Sequence, residues 1–589
     1  MEEEAKNTVP DLNGFKLHSL QKRGNESGSL LQEKVADEPD TEIPEDLEVE
    51  VHWEDYIPEP PDGGWGWVIM IASFFNNFLV DGIAYCFGVF LAEYVEYFNT
   101  SVGNVSLSSS LLCGFYLFVG PVVAAFVNKW GCRKVGIVGS LIATSAFLIS
   151  TFSPNIFMFQ CTYGILGGFG FGLMYLPAVV GVGYYFEKKR ALATGIAVCG
   201  TGIGTFAMAP LAKYTLDELD WKNSHYVLAG LLLQGCVFSA LMRPLTARRK
   251  ITKNSYDKSD DKKPLTDSRE KPSTAIKNRR DFTQSSHTLR VAEKVGSVQR
   301  LHASAFIDTT QRSFKELTED MARPMYRKDI FFSGSICNIP GYKTTENNGD
   351  NAERGASVMS LPSEKPHGRL SCLNSLPKPM ADVLAEMLDL DVLGNKSMLA
   401  LCLGNLFGML GFYVPILFST NRAMQKGVDK EKAALLLSIM GACNTVGRVL
   451  SGLMVVFIPK LSPLAVNNAS ITMAGLAVML TPFCNTFGTM ALAIAAYGLF
   501  AASFIALSSI LVCDAVGLEK LTNGFGLICL VRGIAAMAGP PIEGMLYDLT
   551  GDYDATFYMG GACILTSAGC QMLLFLKPFA PKKQDNLQK

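Results

Sequence analysis

Along the 589-residue chain, long apolar runs alternate with short polar turns, and the runs fall into two sets of six. The first set covers roughly 65–90, 106–127, 133–152, 156–184, 190–212 and 225–242. The second covers roughly 396–420, 433–458, 463–483, 488–513, 522–547 and 555–576. Crossing the hydrocarbon of a bilayer takes about 20 apolar residues per helix. A lone apolar strand would leave its backbone unpaired there, so each run is predicted to be helical. The pattern therefore predicts an all-α integral membrane protein of twelve transmembrane helices in two pseudo-symmetric six-helix bundles.

The polar remainder divides the rest of the chain. An acidic tail, 1–61, holds 17 Asp or Glu against 5 Lys or Arg and has no apolar run near its start, so no cleavable signal peptide is expected. The bundles are expected over 62–245 and 396–576. Between them 246–395 reads as a long connector rich in Ser, Lys, Arg, Asp and Asn, of the composition that stays disordered, and 577–589 is a short basic tail. Short-loop cations set orientation. Lys129, Arg133, Lys134, Lys188, Lys189, Arg190, Lys460, Lys520, Lys577, Lys582 and Lys583 share one side, which is expected to be cytosolic together with both termini. The opposite side has the sequons Asn99-Thr100-Ser101 and Asn104-Val105-Ser106; one loop there, with Arg422, Lys426, Lys430 and Lys432, disagrees.

Three motif pairs recur between the halves: Tyr163-Gly164 with Tyr497-Gly498, Ala209-Pro210 with Gly539-Pro540, and Gly120 with Gly447. Similar offsets argue for a duplicated six-helix unit, the layout in which a central site opens to either side in turn. Glycines crowd the fourth and fifth runs (Gly164, Gly167, Gly168, Gly170, Gly172; Gly195, Gly200, Gly202, Gly204), ordinarily for close helix packing. Gly200-Thr201-Gly202-Ile203-Gly204 is not a phosphate loop, since no strand precedes it and no lysine follows in place.

Composition sharpens the picture. Only 18% of residues are charged, against about 25% in soluble proteins, and the net charge of -2 gives no reason to expect nucleic acid. The 15 cysteines are scattered, several of them inside apolar runs (Cys86, Cys113, Cys161, Cys199, Cys402, Cys529), where the residue acts as a small hydrophobe. Of six histidines only His225 lies near a run, so no catalytic constellation, metal site or cofactor is expected.

Function is sought where charge enters the membrane, because it is costly there. Asp81 lies in the first run beside Asn76 and Asn77; Arg448 lies in the eighth, four residues after Asn444; Arg532 lies in the eleventh, where a long side chain could also snorkel. Asp514, Glu543 and Asp548 read as interfacial. Arg448 is the first choice for a substrate carboxylate, since a guanidinium stays charged and offers a planar fork. A structural contact of Arg448 with Asp81 or Asn444 is the plainer reading.

Two motifs then carry a resemblance. Pro61-Asp62-Gly63-Gly64-Trp65-Gly66-Trp67-Val68 resembles the signature opening helix 1 of the monocarboxylate transporter family of the major facilitator superfamily. The run Tyr185-Phe186-Glu187-Lys188-Lys189-Arg190-Ala191-Leu192-Ala193-Thr194-Gly195-Ile196-Ala197, ending at Gly200, resembles its helix 5 signature. Asn128–Lys134 resembles a worn loop 2–3 motif of the superfamily. Asp62 and its glycines are expected to cap the first helix, and Trp65 and Trp67 to anchor at the lipid boundary.

The departures bear on function. Proton-coupled members of the family use a helix 1 lysine and an aspartate before the helix 8 arginine; the corresponding positions here are Tyr85 and Asn444, leaving Arg448. Arg323–Phe331 and Ala240–Leu245 resemble a branch that includes creatine and carnitine carriers. The resemblance implies a plasma-membrane carrier of a small carboxylate-bearing metabolite, with Arg448, Asn444 and Tyr85 at the substrate, Asp81 as charge partner or proton carrier, proton coupling left open, and a single-span glycoprotein chaperone as a partner of such families. The rival readings are a facilitative carrier of an amino acid or zwitterion, and a non-transporting receptor or scaffold built on the connector.

Overall fold

A computed structural model of the protein describes residues 60–187, 189–245, 330, 377–387, 390–457, 462–517 and 520–576. The expectations for both tails, for most of the connector, and for Lys188 and Lys460 concern residues outside the described ones. The first half comprises α1 (Trp65–Tyr85), α2 (Phe87–Phe98), α3 (Val102–Phe118), α4 (Gly120–Ser150), α5 (Ile156–Phe159), a wider-wound turn over Gln160–Leu166, α6 (Gly167–Tyr185) and α7 (Arg190–Ala240). A short helix, α8 (Lys378–Met387), precedes the second half. That half comprises α9 (Lys396–Phe412), α10 (Val414–Gln425), α11 (Lys430–Phe457), α12 (Pro463–Leu480), α13 (Phe487–Ala506), α14 (Ser508–Val516), α15 (Leu521–Thr550) and α16 (Tyr553–Met572).

Among the described residues, ten helical stretches are long and apolar enough to cross a bilayer. Two of the longest each contain one residue of non-helical backbone. Gly131 in α4 has φ 80°, a left-handed conformation that costs glycine little, and Asp220 in α7 has φ 67°. Asp220 is held there because its side chain accepts from the Lys222 N–H at 2.6 Å and its carbonyl accepts from the Ser224 hydroxyl at 2.6 Å. With these breaks, and with α3 continuing into the first part of α4, each of the twelve apolar runs has its helix. Large apolar side chains face outward along the bundle, among them Leu141 at 48% and Val237 at 56% exposed, a surface suited to lipid and not to water.

Repeated motifs occupy repeated environments. A Cβ on Gly164 would meet Leu111 of α3, and one on Gly498 would meet the Met440 backbone of α11, so the fourth and tenth runs lean alike on the second and eighth. For the second pair the helices correspond but the contact is displaced: Gly204, five residues before Ala209, approaches the Phe78 carbonyl of the first run, and Gly539 approaches the Leu410 carbonyl of the seventh. The third pair differs: Gly447 lies on Leu499 of α13, whereas Gly120 faces Cys529 of α15. In the core of the first half, His225 bridges the Tyr94 hydroxyl (2.6 Å) and Ser150 Oγ (2.9 Å) inside a shell of aromatic rings.

Four expectations change. The connector is not wholly without structure, because α8 forms just ahead of the second half and buries Met380, Ala381, Val383 and Met387, an apolar face in an otherwise polar stretch. Arg422 is not a loop cation. It lies inside α10 at 1% exposure, with Nε donating to Asp554 Oδ1 (2.6 Å) and its other nitrogens to the Cys484 and Pro482 carbonyls (3.0 Å each). Lys426 joins the same carboxylate at 2.8 Å. Glu543, read as interfacial, is 1% exposed, because the helix carrying it runs seven residues further. Arg532 does not snorkel: at 5% exposure it donates from Nε to Asn405 Oδ1 (2.7 Å) and from Nη2 to the Phe504 carbonyl (3.0 Å).

The halves meet closely along α3 against α15 and α7 against α11. A Cβ on Gly441 would fall 2.6 Å from the Gly202 carbonyl, so the backbones touch there. Such overpacking costs about 1–3 kcal/mol. Gly441→Val is expected to lower the thermal unfolding midpoint of the detergent-solubilised protein, while Gly452→Val, whose Cβ would meet nothing within 4 Å, leaves it unchanged.

Candidate functional site

The two sequence motifs are joined in space. Asp62, with φ 48°, does not cap α1, whose start has no side-chain cap. Its Oδ1 accepts instead from the Glu187 N–H (2.7 Å) and the Lys189 N–H (3.3 Å), just before α7 begins, and its own N–H donates to the Tyr185 carbonyl (3.2 Å). Free N–H groups at a helix start need such an acceptor, and the nearest free ones belong to the second motif. Trp65 and Trp67 are also taken inward. The Trp65 indole donates to the Leu241 carbonyl (2.9 Å) under the Arg243 guanidinium (3.9 Å), and Trp67 packs edge-on against Phe186 (5.1 Å). An indole N–H seeks an acceptor when partly buried, which the chain leaving α7 supplies.

The remaining signature residues complete the joint. Arg190 is fully buried and donates to the Phe186 and Gly183 carbonyls (2.7 Å each), and the Tyr185 hydroxyl donates to the Arg243 carbonyl (2.9 Å). Gly64 takes φ 56°, and Gly63 lies beside Trp67. On Gly200 a Cβ would fall 2.1 Å from the Phe74 carbonyl, whereas Gly195 has nothing within 4 Å.

Deeper in the bundle, α1, α3, α6, α7 and α11 bring a charged cluster together. Asp81 is 4% exposed; its Oδ2 accepts from Thr201 Oγ1 (2.6 Å) and its Oδ1 from the Tyr116 hydroxyl (3.5 Å). Arg448 is 7% exposed, and its Nε donates to Asn444 Oδ1 (2.8 Å). Asn444 in turn donates to the Gly498 carbonyl (3.2 Å), fixing the amide that aims the guanidinium. No ion pair forms between Arg448 and Asp81, and among the described residues Nη1 and Nη2 of Arg448 have no hydrogen-bond acceptor. The Arg448 charge nevertheless reaches Asp81, Tyr85 and Tyr175. Tyr85 meets Tyr413 edge-on across the halves at 6.3 Å.

Four of the residues singled out from the sequence thus converge: Asp81, Tyr85, Asn444 and Arg448. Asn76 and Asn77 do not join them, since they donate to Ser239, Ser73 and Ala197 within the first half. Thr201, Tyr116 and Tyr175 were missed; Thr201 sits in the glycine string of the fifth run, and its hydroxyl among small residues was the available signal. Arg532 approaches from the second half, its charge also reaching Tyr175 and Tyr116. It lines a small cavity with Asn405, Asn467, Ser508 and Gln571.

Among the described residues, several hydrogen bonds cross between the halves at one end of the bundle. Asp548 accepts from the Val102 and Gly103 N–H groups (3.0 and 2.9 Å), capping α3 from α15, and Asn421 donates to the Gly88 carbonyl (3.0 Å). Ser438 donates to the Phe206 carbonyl (3.1 Å), which lacks its helical N–H because Pro210 stands four residues on.

The sequence profile described as the Major Facilitator Superfamily matches residues 73–495 and 401–589, and the chain belongs to that family of membrane transporters. Within it the chain is similar to proteins named monocarboxylate transporters. It is 29% identical to monocarboxylate transporter 14 of Mus musculus over 88% of this chain and 91% of that protein, and 27% identical to monocarboxylate transporter 9 of Gallus gallus over 88% and 94%. The solved nucleoside transporter NupG aligns with a TM-score of 0.52 at 12% identity over 88% of this chain and 100% of that one, a likeness of fold.

Removing a capping acceptor costs about 0.5–2 kcal/mol. Asp62→Ala is therefore expected to lower the unfolding midpoint and the surface yield together, and Asp62→Asn, which keeps an acceptor oxygen, to recover most of both, as measured by thermal unfolding and surface labelling.

Proposed function

We propose that the protein carries a small carboxylate-bearing metabolite across the plasma membrane by alternating access, with Arg448 receiving the carboxylate. The observation that carries this reading is the pair of Arg448 nitrogens that, among the described residues, have no acceptor between the halves, while Nε is held by Asn444. A buried guanidinium short of partners needs an anion, and its fork fits a carboxylate in two bonds. Asp81 is held by Thr201 and Tyr116 and tempers the field, and Tyr85 closes the site against Tyr413.

With both termini cytosolic, the end closed by Asp548, Asn421 and Ser438 faces outward, and this conformer is shut to the outside. Loosening those contacts opens the site outward as the halves rock. The relatives' name, monocarboxylate transporter, supports the substrate class.

Comparing metabolites of cells with and without the protein identifies the substrate, and uptake of the leading compound then tests the site. Arg448→Lys is expected to lose uptake by at least about tenfold at normal surface abundance, since a point charge replaces a two-bond fork worth about 1.5–3 kcal/mol. Wild-type uptake in that variant excludes the role. Competition by lactate or pyruvate is expected if a simple acid is carried, and its absence directs the search to zwitterions.

A further inference from the structure

The face of α15 turned into the second half carries Arg532, Ala536, Gly539 and Glu543, spaced four, three and four residues apart. At 1.5 Å per residue the two charged groups stand about 16 Å apart, too far to pair. Arg532 has Asn405 and the Phe504 carbonyl, whereas Glu543 has nothing: both carboxyl oxygens are buried and neither meets a hydrogen-bond donor. Its neighbours are committed elsewhere. The Tyr497 hydroxyl of α13 donates to the Phe412 carbonyl (2.5 Å), and the Thr556 hydroxyl of α16 donates to the backbone carbonyl of Glu543, not to its side chain. Among the described residues, Tyr497 and Cys563 are the titratable groups within electrostatic reach, and no cationic side chain is among the hydrogen-bond or ion-pair partners of Glu543. Asp81, by contrast, has a donor on each oxygen.

A carboxyl sealed in a membrane bundle with neither donor nor cation is tolerated only if a positive charge arrives from outside the chain. We propose that Glu543 is the coupling-cation site of the protein, occupied by a monovalent cation, either a proton or an alkali metal ion. Its place suits the task. Pro540 and Pro541 lie just before it, and Gly544 just after it touches Gly103 of the other half, where a Cβ would fall 2.8 Å away. Occupancy of Glu543 is thereby joined to the α3–α15 contact that Asp548 closes one turn later. The role as a coupling site rests on the carrier reading above; the cation site itself does not.

The test needs no transported substrate. The purified full-length chain in detergent is unfolded thermally across a pH series in choline chloride, and across a sodium or potassium chloride series at fixed pH and ionic strength, as wild type, Glu543→Gln and Glu543→Asp. The difference in midpoint between wild type and Glu543→Gln is expected to shift by several degrees along one of the two series, which names the occupant, while Glu543→Asp follows the wild type. As a check that uses no variant, dicyclohexylcarbodiimide labelling of Glu543 in the wild type, read by peptide mass spectrometry, is expected to change severalfold along the same series. Parallel midpoint curves for wild type and Glu543→Gln overturn the proposal, and so does labelling that neither pH nor alkali cation alters. Failure of Arg448→Lys to impair uptake leaves this result standing, so the two readings fail separately.

Discussion

A charge placed between lipid-facing helices must be compensated, and much of the architecture answers that requirement. Arg422 is neutralised by Asp554 and donates to two carbonyls at one end of the bundle. Arg190 is fastened to the carbonyls that end α6. Arg532 is cradled by an amide, a carbonyl and the Phe504 ring at 4.8 Å. Each of these is a structural solution complete within the protein. Arg448 stands apart: among the described residues only its Nε is engaged, and the proposed substrate role rests on that incomplete solution.

Geometry around that residue links local chemistry to the larger motion. Asn444 lies one helical turn before Arg448 and ties it to the Gly498 carbonyl, so the guanidinium moves with α11 and α13 of the second half. Asp81, Tyr116 and Thr201 belong to the first half. In the proposed role, a substrate bridging Arg448 and the opposite tyrosines contacts both halves at once. Glycine-lined seams such as Gly202 against Gly441 let the backbones come together without side chains in the way, as lipid-embedded helices require.

Much of this was legible in the sequence, for identifiable reasons. The twelve apolar runs stood out because bilayer thickness imposes a length that no turn can imitate. Arg448 and Asp81 could be singled out because charges are rare in such runs, whereas Tyr85 and Asn444 came from the resemblance, as the positions of a lysine and an aspartate. The two motifs were visible as strings, yet their contact was not: Asp62 lies 125 residues from Glu187, and only the fold brings its carboxylate to that N–H. Glu543 was misjudged because distance from a helix end was read from hydropathy, while burial depends on how far the helix continues and on what packs beside it. Arg422 was misplaced for the same reason, since the helix runs past the apolar segment and its partner Asp554 lies 132 residues away.

A structure of the protein with its transported metabolite bound is the most direct examination of the central claim. The account requires the substrate's carboxylate within hydrogen-bond distance of both Nη1 and Nη2 of Arg448, with Asn444 still holding Nε. A carboxylate bound elsewhere, with those two nitrogens taken up by protein acceptors, would contradict it.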